Sequence, residues 1–410
     1  MNIATLTTRS GLPLLDFNSR PDPTSAFMML AGAIAGGIGL AAVFINLFLD
    51  GHAAFNTSSD MAWGAPIAYY LFFLLTSSGL TIIASLDTVF GLRTFYPIAK
   101  RCVWLAIITL VAGFTILALE LGHPFRMLWA MPTALQIYSP MWWMGALYSI
   151  DLVLLCVKFY LLHTENWNSR LTHHLSIVSF VVCILAPGTL GLVFGMMAMR
   201  PAWYSPVMPM YFILTGFMSA VAFVVFFTSL LRRENSAAAV VREHRRADEQ
   251  LLHLYDMVLP RLFFVTLLAV IAMRVGQIIT GLWSNYEGME AHWKALESPL
   301  FHIEIWAGFI LPAALMSTNA LRANPKMQLL ASVLFMVGIF SARLELLIVG
   351  QQVPLFKGYW ADYVEYTPSF TEWMLVPAGF GIFLFLYGAG NWLLRLSESR
   401  VPERLPEPAH

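Results

Sequence analysis

Charge is what this sequence has least of. Asp, Glu, Lys and Arg make up 12% of its 410 residues, against about a quarter in a soluble domain. The 24 cationic and 24 anionic side chains cancel, so nothing points to nucleic acid or an acidic substrate. Cysteine is scarce too. Cys102, Cys156 and Cys183 lie in apolar stretches without C-x-x-C spacing, which argues against a disulfide framework or a cysteine-held cluster. The first 25 residues contain Arg9 and Arg20 but no compact apolar run ending in small residues, so no cleavable signal peptide is expected. Interior histidine is also nearly missing. Of the ten, His302 alone sits within an apolar stretch. His52, His123, His244 and His292 fall in loops, His163, His173, His174 and His253 near stretch ends, and His410 in the tail. Haem b between helices needs facing histidine pairs, so this chain is expected to carry neither haem nor metal.

What is abundant is apolar surface: 58% of residues are hydrophobic and the mean hydropathy is +0.68. Such side chains must face something other than a core, and the fold expected is an all-α integral membrane protein. Crossing the hydrocarbon takes about 20 residues. Ten stretches qualify, near 26–49, 64–90, 101–121, 140–162, 172–197, 206–231, 255–282, 299–320, 326–350 and 370–396. They define an N-terminal segment over 1–25, a polytopic domain over 26–396 and a tail over 397–410. Loop charge sets the expected orientation. Outside the spans' interiors, Lys and Arg concentrate in the two ends and in 91–101, 158–171, 232–254 and 321–326. The alternate loops hold just Arg126, Arg200, Lys294 and Lys357. The positive-inside bias therefore predicts both ends, and the basic loop 232–254, in the cytoplasm. Tryptophan leans the other way: Trp63, Trp129, Trp142, Trp143, Trp203, Trp283, Trp293, Trp360 and Trp373 mark the external side. Both an interfacial belt and a docking surface for a partner fit that bias.

Charges inside a membrane are costly and are functional candidates. Glu120 ends the third span, Arg274 lies in the seventh, and His302 and Glu304 open the eighth. Arg343 and Glu345 lie late in the ninth, and Glu372 opens the tenth. All fall within about 15 Å of the external boundary, at 1.5 Å rise per residue. One polar pocket at that depth is the economical arrangement; interhelical ion pairs that pin the bundle are the plainer one. His302 and Glu304 are two apart, as are Arg343 and Glu345, so one member of each pair is expected to line a shared pocket. Arg274 and Gln277 share a face. A separate polar line runs deeper: Asp151 in mid-span four with Tyr148 three residues away, Asp87 toward the cytoplasmic end of span two, and Lys158. Asp151 reads either as a buried, protonated structural acid or as a step in a proton path.

Several segments resemble the NrfD/PsrC family of membrane subunits. Trp63-Gly64-Ala65-Pro66-Ile67-Ala68-Tyr69-Tyr70-Leu71-Phe72 resembles that family's second-helix signature. Glu120-Leu121-Gly122-His123-Pro124-Phe125-Arg126 resembles its acidic-Leu-Gly-x-Pro-x-Arg segment, and Ser139-Pro140-Met141-Trp142-Trp143 the opening of the next helix. Glu304, Arg343 and Tyr366-Thr367-Pro368 with Glu372 agree in order. Ten spans suit the longer branch of HybB, DsrP and alternative complex III subunits, DsrP nearest. The sequence departs from the pattern at Glu120, where Asp is common, at His123, where Arg or Lys is usual, and at Ala186-Pro187-Gly188-Thr189, which lacks a histidine.

The resemblance implies two four-helix bundles (spans 2–5 and 6–9) with flanking helices, in a bacterial or archaeal plasma membrane. It implies a cofactor-free subunit that passes electrons between menaquinone or ubiquinone and an external ferredoxin-like iron–sulfur subunit, within a complex of sulfur or anaerobic respiratory metabolism. The expected quinone shell is Glu304, Arg343, Arg274 and Glu372, with His302, Glu120 and His123 behind it. Asp151, Tyr148 and Asp87 are the expected proton path. Lipid is the other partner. A secondary transporter would place its charges at the midplane in matched, broken helices, and a purely structural anchor would need no polar cluster.

Overall fold

The structure is a computed structural model that describes residues 14–17, 19–238, 251–284, 289–354, 363–394 and 396. Residues 239–250 of the basic loop, the tail from 397, and Lys357 and Trp360 lie outside the described residues. Ten long helices follow one another: α1 (Pro23–Asp50), α2 (Ala65–Thr88), α3 (Tyr96–Glu120), α5 (Pro140–His163), α6 (Arg170–Gly195), α7 (Met208–Ala238), α8 (Leu251–Trp283), α10 (Pro299–Leu315), α11 (Pro325–Gln352) and α12 (Phe370–Leu393). Two short helices, α4 (Pro124–Ala134) and α9 (Glu290–Ala295), interrupt the loops. Their chemistry explains the starts. Proline occupies the first turn of α1, α2, α3, α5, α10 and α11, where its missing N–H costs nothing. Asp22, Ser169, Ser298, Asn324 and Ser369 each accept a backbone N–H at a helix entrance.

Nine of the ten, among the described residues, are long and apolar enough to cross a membrane. The tenth, α10, is shorter than the span 299–320 that hydropathy suggests. It stops at Leu315 because Thr318 caps a separate turn at Asn319–Arg322. Neither α4 nor α9 is signalled by the sequence, where Gly122 with Pro124 and Pro299 read as plain turns.

The packing forms two four-helix bundles. Helices α2, α3, α5 and α6 close one; α7, α8, α10 and α11 close the other; α2 and α7 form the seam between them. Without a hydrophobic force between helices in lipid, close packing of small residues carries association. At the seam, a Cβ on Gly79 would overlap the Gly216 carbonyl, and one on Gly216 would press on the Leu75 carbonyl. Helix α2 is the most deeply buried of the ten. Helices α1 and α12 pair with each other, backbone against backbone at Gly36 and Gly381, and flank the first bundle through α3. The outer sides of α1 and α8 expose Phe27, Ile34, Phe48, Val265 and Ile279, surface suited to lipid.

The helix ends define two faces. The loop face carries 51–64, α4, 196–207, α9 and 363–369. The terminal face carries the N-terminal residues, which pack on α5 and α12 through His163 to the Leu14 carbonyl (2.7 Å) and Trp392 Nε1 to the Ser19 carbonyl (2.8 Å).

Candidate functional site

The buried charges of the second bundle meet just below the loop face. In α10, residues Ile303–Ile310 wind as a π-helix, the wide turn that recurs at functional sites. Glu304 within it is fully buried, while His302, two residues earlier, stays exposed. Arg274 of α8 donates from Nη2 to Glu304 Oε2 at 2.8 Å, a hydrogen-bonded ion pair with Glu304 wholly out of solvent. Arg343 and Glu345 of α11 are both buried but point apart. Arg343 donates to Thr215 Oγ1 of α7 (2.5 Å), its guanidinium carbon 5.6 Å from the Tyr211 ring and 5.1 Å from that of Phe212. Glu345 accepts from Ser298 Oγ at 3.3 Å. Further polar capacity is unused: Glu304 Oε1, Glu345 Oε1, Arg274 Nε, and Arg343 Nε and Nη1 have no hydrogen-bond partner.

Above the ion pair lies a cavity of about 500 Å³. One wall is α8, with Met273, Arg274, Gln277 and Gly281; the opposite wall is α11, with Glu345, Leu346 and Val349. The segment Pro201–Met208 and His292 of α9 close the sides. The lining is chiefly apolar with few polar groups, the usual make-up of a small-molecule site. The segment is anchored by aromatic and guanidinium contacts. Trp203 Nε1 donates to the Leu346 carbonyl (2.6 Å) and its ring stacks on Trp63 at 5.5 Å. Arg200 donates to the carbonyls of Gln351 (3.2 Å), Val353 (3.0 Å) and Asp60 (3.1 Å). Burial disfavours the charged form of His292 and pushes its pKa below the ordinary 6.5, so the ring is neutral at physiological pH.

The other expected residues sit elsewhere on the loop face. Glu372, at the third position of α12, closes a capping box with Ser369, whose N–H it accepts at 2.6 Å. It also accepts Tyr366 Oη at 2.6 Å, and that hydroxyl in turn accepts the Ala65 N–H that opens α2. Burial and the adjacent Glu372 carboxyl raise the pKa of Tyr366 far above the phenolic range, so the phenol stays protonated and keeps donating. Glu120 ends α3 with Oε2 buried and without a hydrogen-bond partner, and His123 is exposed where α4 begins. The single pocket expected from depth is thus two groups: Arg274 and Glu304, with Arg343 and Glu345, in the second bundle; Glu372, Glu120 and His123 around the first and the flanking pair.

The deeper line lies within the first bundle. Tyr148 and Ser78 hydroxyls approach to 3.4 Å, Asp151 and Lys158 are fully buried one below the other on α5, and Asp87 meets Arg93 at 3.5 Å near the terminal face. Asp151 and Lys158 are about 10 Å apart along the helix axis at 1.5 Å per residue, beyond direct proton transfer. Buried hydroxyls of Ser176 and Ser179, without hydrogen-bond partners, come from α6, the helix packed on α5. Among the described residues no group of three or more His, Cys, Asp or Glu could hold a metal ion.

Helical spacing in the sequence suffices to group Arg274 with Gln277 and to set the depth of Glu304. It does not reveal His292, which a loop position makes unremarkable, or the Pro201–Met208 wall, which only tertiary folding brings to α8. Glu345 is legible as a buried acid, yet it stands outside the expected quinone shell.

A sequence model described as polysulphide reductase, NrfD, matches residues 53–354, which takes in both four-helix bundles and leaves out α1 and α12. A selenate reductase subunit of Mesobacillus selenatarsenatis is 22% identical over 400 residues, covering 85% of this chain and 89% of that one.

Proposed function

The chain belongs to the polysulphide reductase NrfD family, and from that premise we propose that it is the quinone-reactive membrane subunit of a reductase complex. In this reading it exchanges electrons between membrane menaquinone or ubiquinone and an iron–sulfur subunit docked on the loop face. The similarity to a selenate reductase subunit supports the multi-subunit setting. The observation that carries the proposal is the cavity of about 500 Å³ with Arg274, Gln277 and Glu345 in an apolar lining. A quinone headgroup asks for that: an apolar slot, hydrogen-bond donors for its carbonyls, and titratable groups for two protons. Arg274 and Gln277 would donate to a carbonyl, and the Glu304 carboxylate fixes the Arg274 guanidinium in place. Arg343, one helix face away, would hold the electrostatics of the shell through its uncompensated charge.

The loop face around α4, with exposed Phe125 and Trp129, is the proposed docking surface. Electrons would cross there, while protons would exchange on the same side or follow Asp151, Lys158 and Asp87 to the terminal face. The test is extraction of quinone from the purified complex, wild type against Gln277→Leu and Arg274→Ala. Stoichiometric quinone in the wild type and its loss in both variants is the expected result. Equal quinone in all three preparations would contradict the assignment.

A further inference from the structure

The cavity wall on α8 has an order to it. Arg274, Gln277 and Gly281 follow one another at spacings of three and four, so they form one stripe running from the buried ion pair up toward the loop face. Gly281 is where α9 touches that stripe. A Cβ there would overlap the His292 ring, whose Cγ lies 2.8 Å and Nε2 2.9 Å from the Cβ position. The missing side chain thus lets the imidazole lie flat on the helix backbone and close the upper part of the cavity. Its Nδ1 is buried, with the Met289 backbone as its one polar neighbour and no well-formed hydrogen bond, so the ring can still serve a ligand. From the level of Gln277 to that of Gly281 is about 6 Å along the helix at 1.5 Å per residue, close to the reach of a ring carrying two opposed carbonyls.

We propose that the quinone lies lengthwise on α8, its inner oxygen toward Arg274 and Gln277, and its outer oxygen at His292, which exchanges that oxygen's proton. This rests on the quinone reading above and assigns the chemistry within it. In the direction of quinol oxidation, the outer O–H breaks and its proton passes to an imidazole nitrogen of His292. The inner O–H breaks and its proton passes to the carboxylate of Glu345, which Ser298 links to the loop face at 3.3 Å. The two electrons go to the iron–sulfur acceptor, leaving quinone and two protons; reduction runs the same steps backwards. Both protons therefore belong to the loop face. The charges around His292 are Arg274 from α8, Glu345 from α11, and Glu290 and Lys294 on its own helix, Lys294 lying 4.3 Å from the Tyr363 ring. Burial and, more weakly, Arg274 oppose the imidazolium while the Met289 backbone favours it, a balance that suits a ring that must accept a proton and then release it.

The experiment uses the intact complex and two readouts: quinol turnover as pH falls below the ordinary imidazole value of 6.5, and binding of the quinol analogue 2-heptyl-4-hydroxyquinoline N-oxide. Wild-type oxidation should fall on the acid side as the ring protonates. His292→Gln should lower turnover by about 10²-fold, the size of a lost general base, and reduce the acid limb to the part that Glu345 contributes. It should leave analogue affinity within about threefold, under 1 kcal/mol. Gly281→Ala, which displaces the ring while keeping every titratable group, should reproduce the loss of turnover. His292→Gln with wild-type turnover and acid limb would overturn the proposal, as would loss of analogue binding together with turnover, which would make His292 part of the cavity's shape. Arg274→Ala distinguishes the underlying reading: it should abolish analogue binding, and unchanged binding there would show that the quinone site lies elsewhere.

Discussion

Glu304 and Arg274 share a hydrogen bond of 2.8 Å, with Glu304 wholly out of solvent and Arg274 reaching only the cavity. Removing one partner from such a pair leaves a buried charge uncompensated, at about 3–5 kcal/mol. Glu304→Ala and Arg274→Ala should each lower the melting temperature of the solubilised protein markedly. The pair Arg274→Met with Glu304→Leu should recover most of that stability while quinol turnover stays lost. Recovery of turnover along with stability would reduce the pair to a helix pin. Asp151 poses the same question in the first bundle. Asp151→Asn keeps size and hydrogen bonding but cannot titrate. If Asp151 carries protons, the variant should retain quinol chemistry in detergent and lose proton movement in sealed vesicles. Unchanged vesicle protons would leave it a structural acid.

The π-helical turn Ile303–Ile310 carries Glu304, and its wider winding sets where that side chain falls against Arg274 of α8. Deleting Ala307 should restore α-helical winding, carry Glu304 off Arg274 and abolish turnover in an assembled complex. Retained turnover would mean the wide turn has no part in the site. At the entrance to α12, Glu372→Gln should weaken a cap and its tie to α2, at about 0.5–2 kcal/mol, seen as a lower melting temperature. Turnover should stay within about threefold, under 1 kcal/mol; a larger fall would bring Glu372 into the redox site. These elements also show what the sequence could carry. Hydropathy and proline locate all ten long helices, since crossing lipid demands a long apolar run. Helical spacing places Arg274 with Gln277 and sets Glu304 against His302. Depth alone could not tell that Glu372 belongs to a capping box, or that Arg343 turns to Thr215 while Glu345 turns to the cavity. Those outcomes depend on which helices are neighbours. The π-turn and the Gly281 notch for His292 leave no periodic signal at all.

For the molecule as a whole, the family match over 53–354 coincides with the two bundles, and the α1–α12 pair stands outside it. That division suggests a redox core with an added flank. The charge bias of the loops predicts both ends in the cytoplasm, so the cavity opens on the opposite side, where an iron–sulfur partner would dock. A reporter fused near residue 240 should be active only in the cytoplasm. The central claim, a quinone headgroup between α8 and α11, is tested most directly by photolabelling the intact complex with an azidoquinone and mapping the modified residues. The account predicts label within 273–281 and 345–349, displaced by excess native quinone and absent from the Arg274→Ala complex. Label confined to α2, α3, α5 and α6 would contradict it.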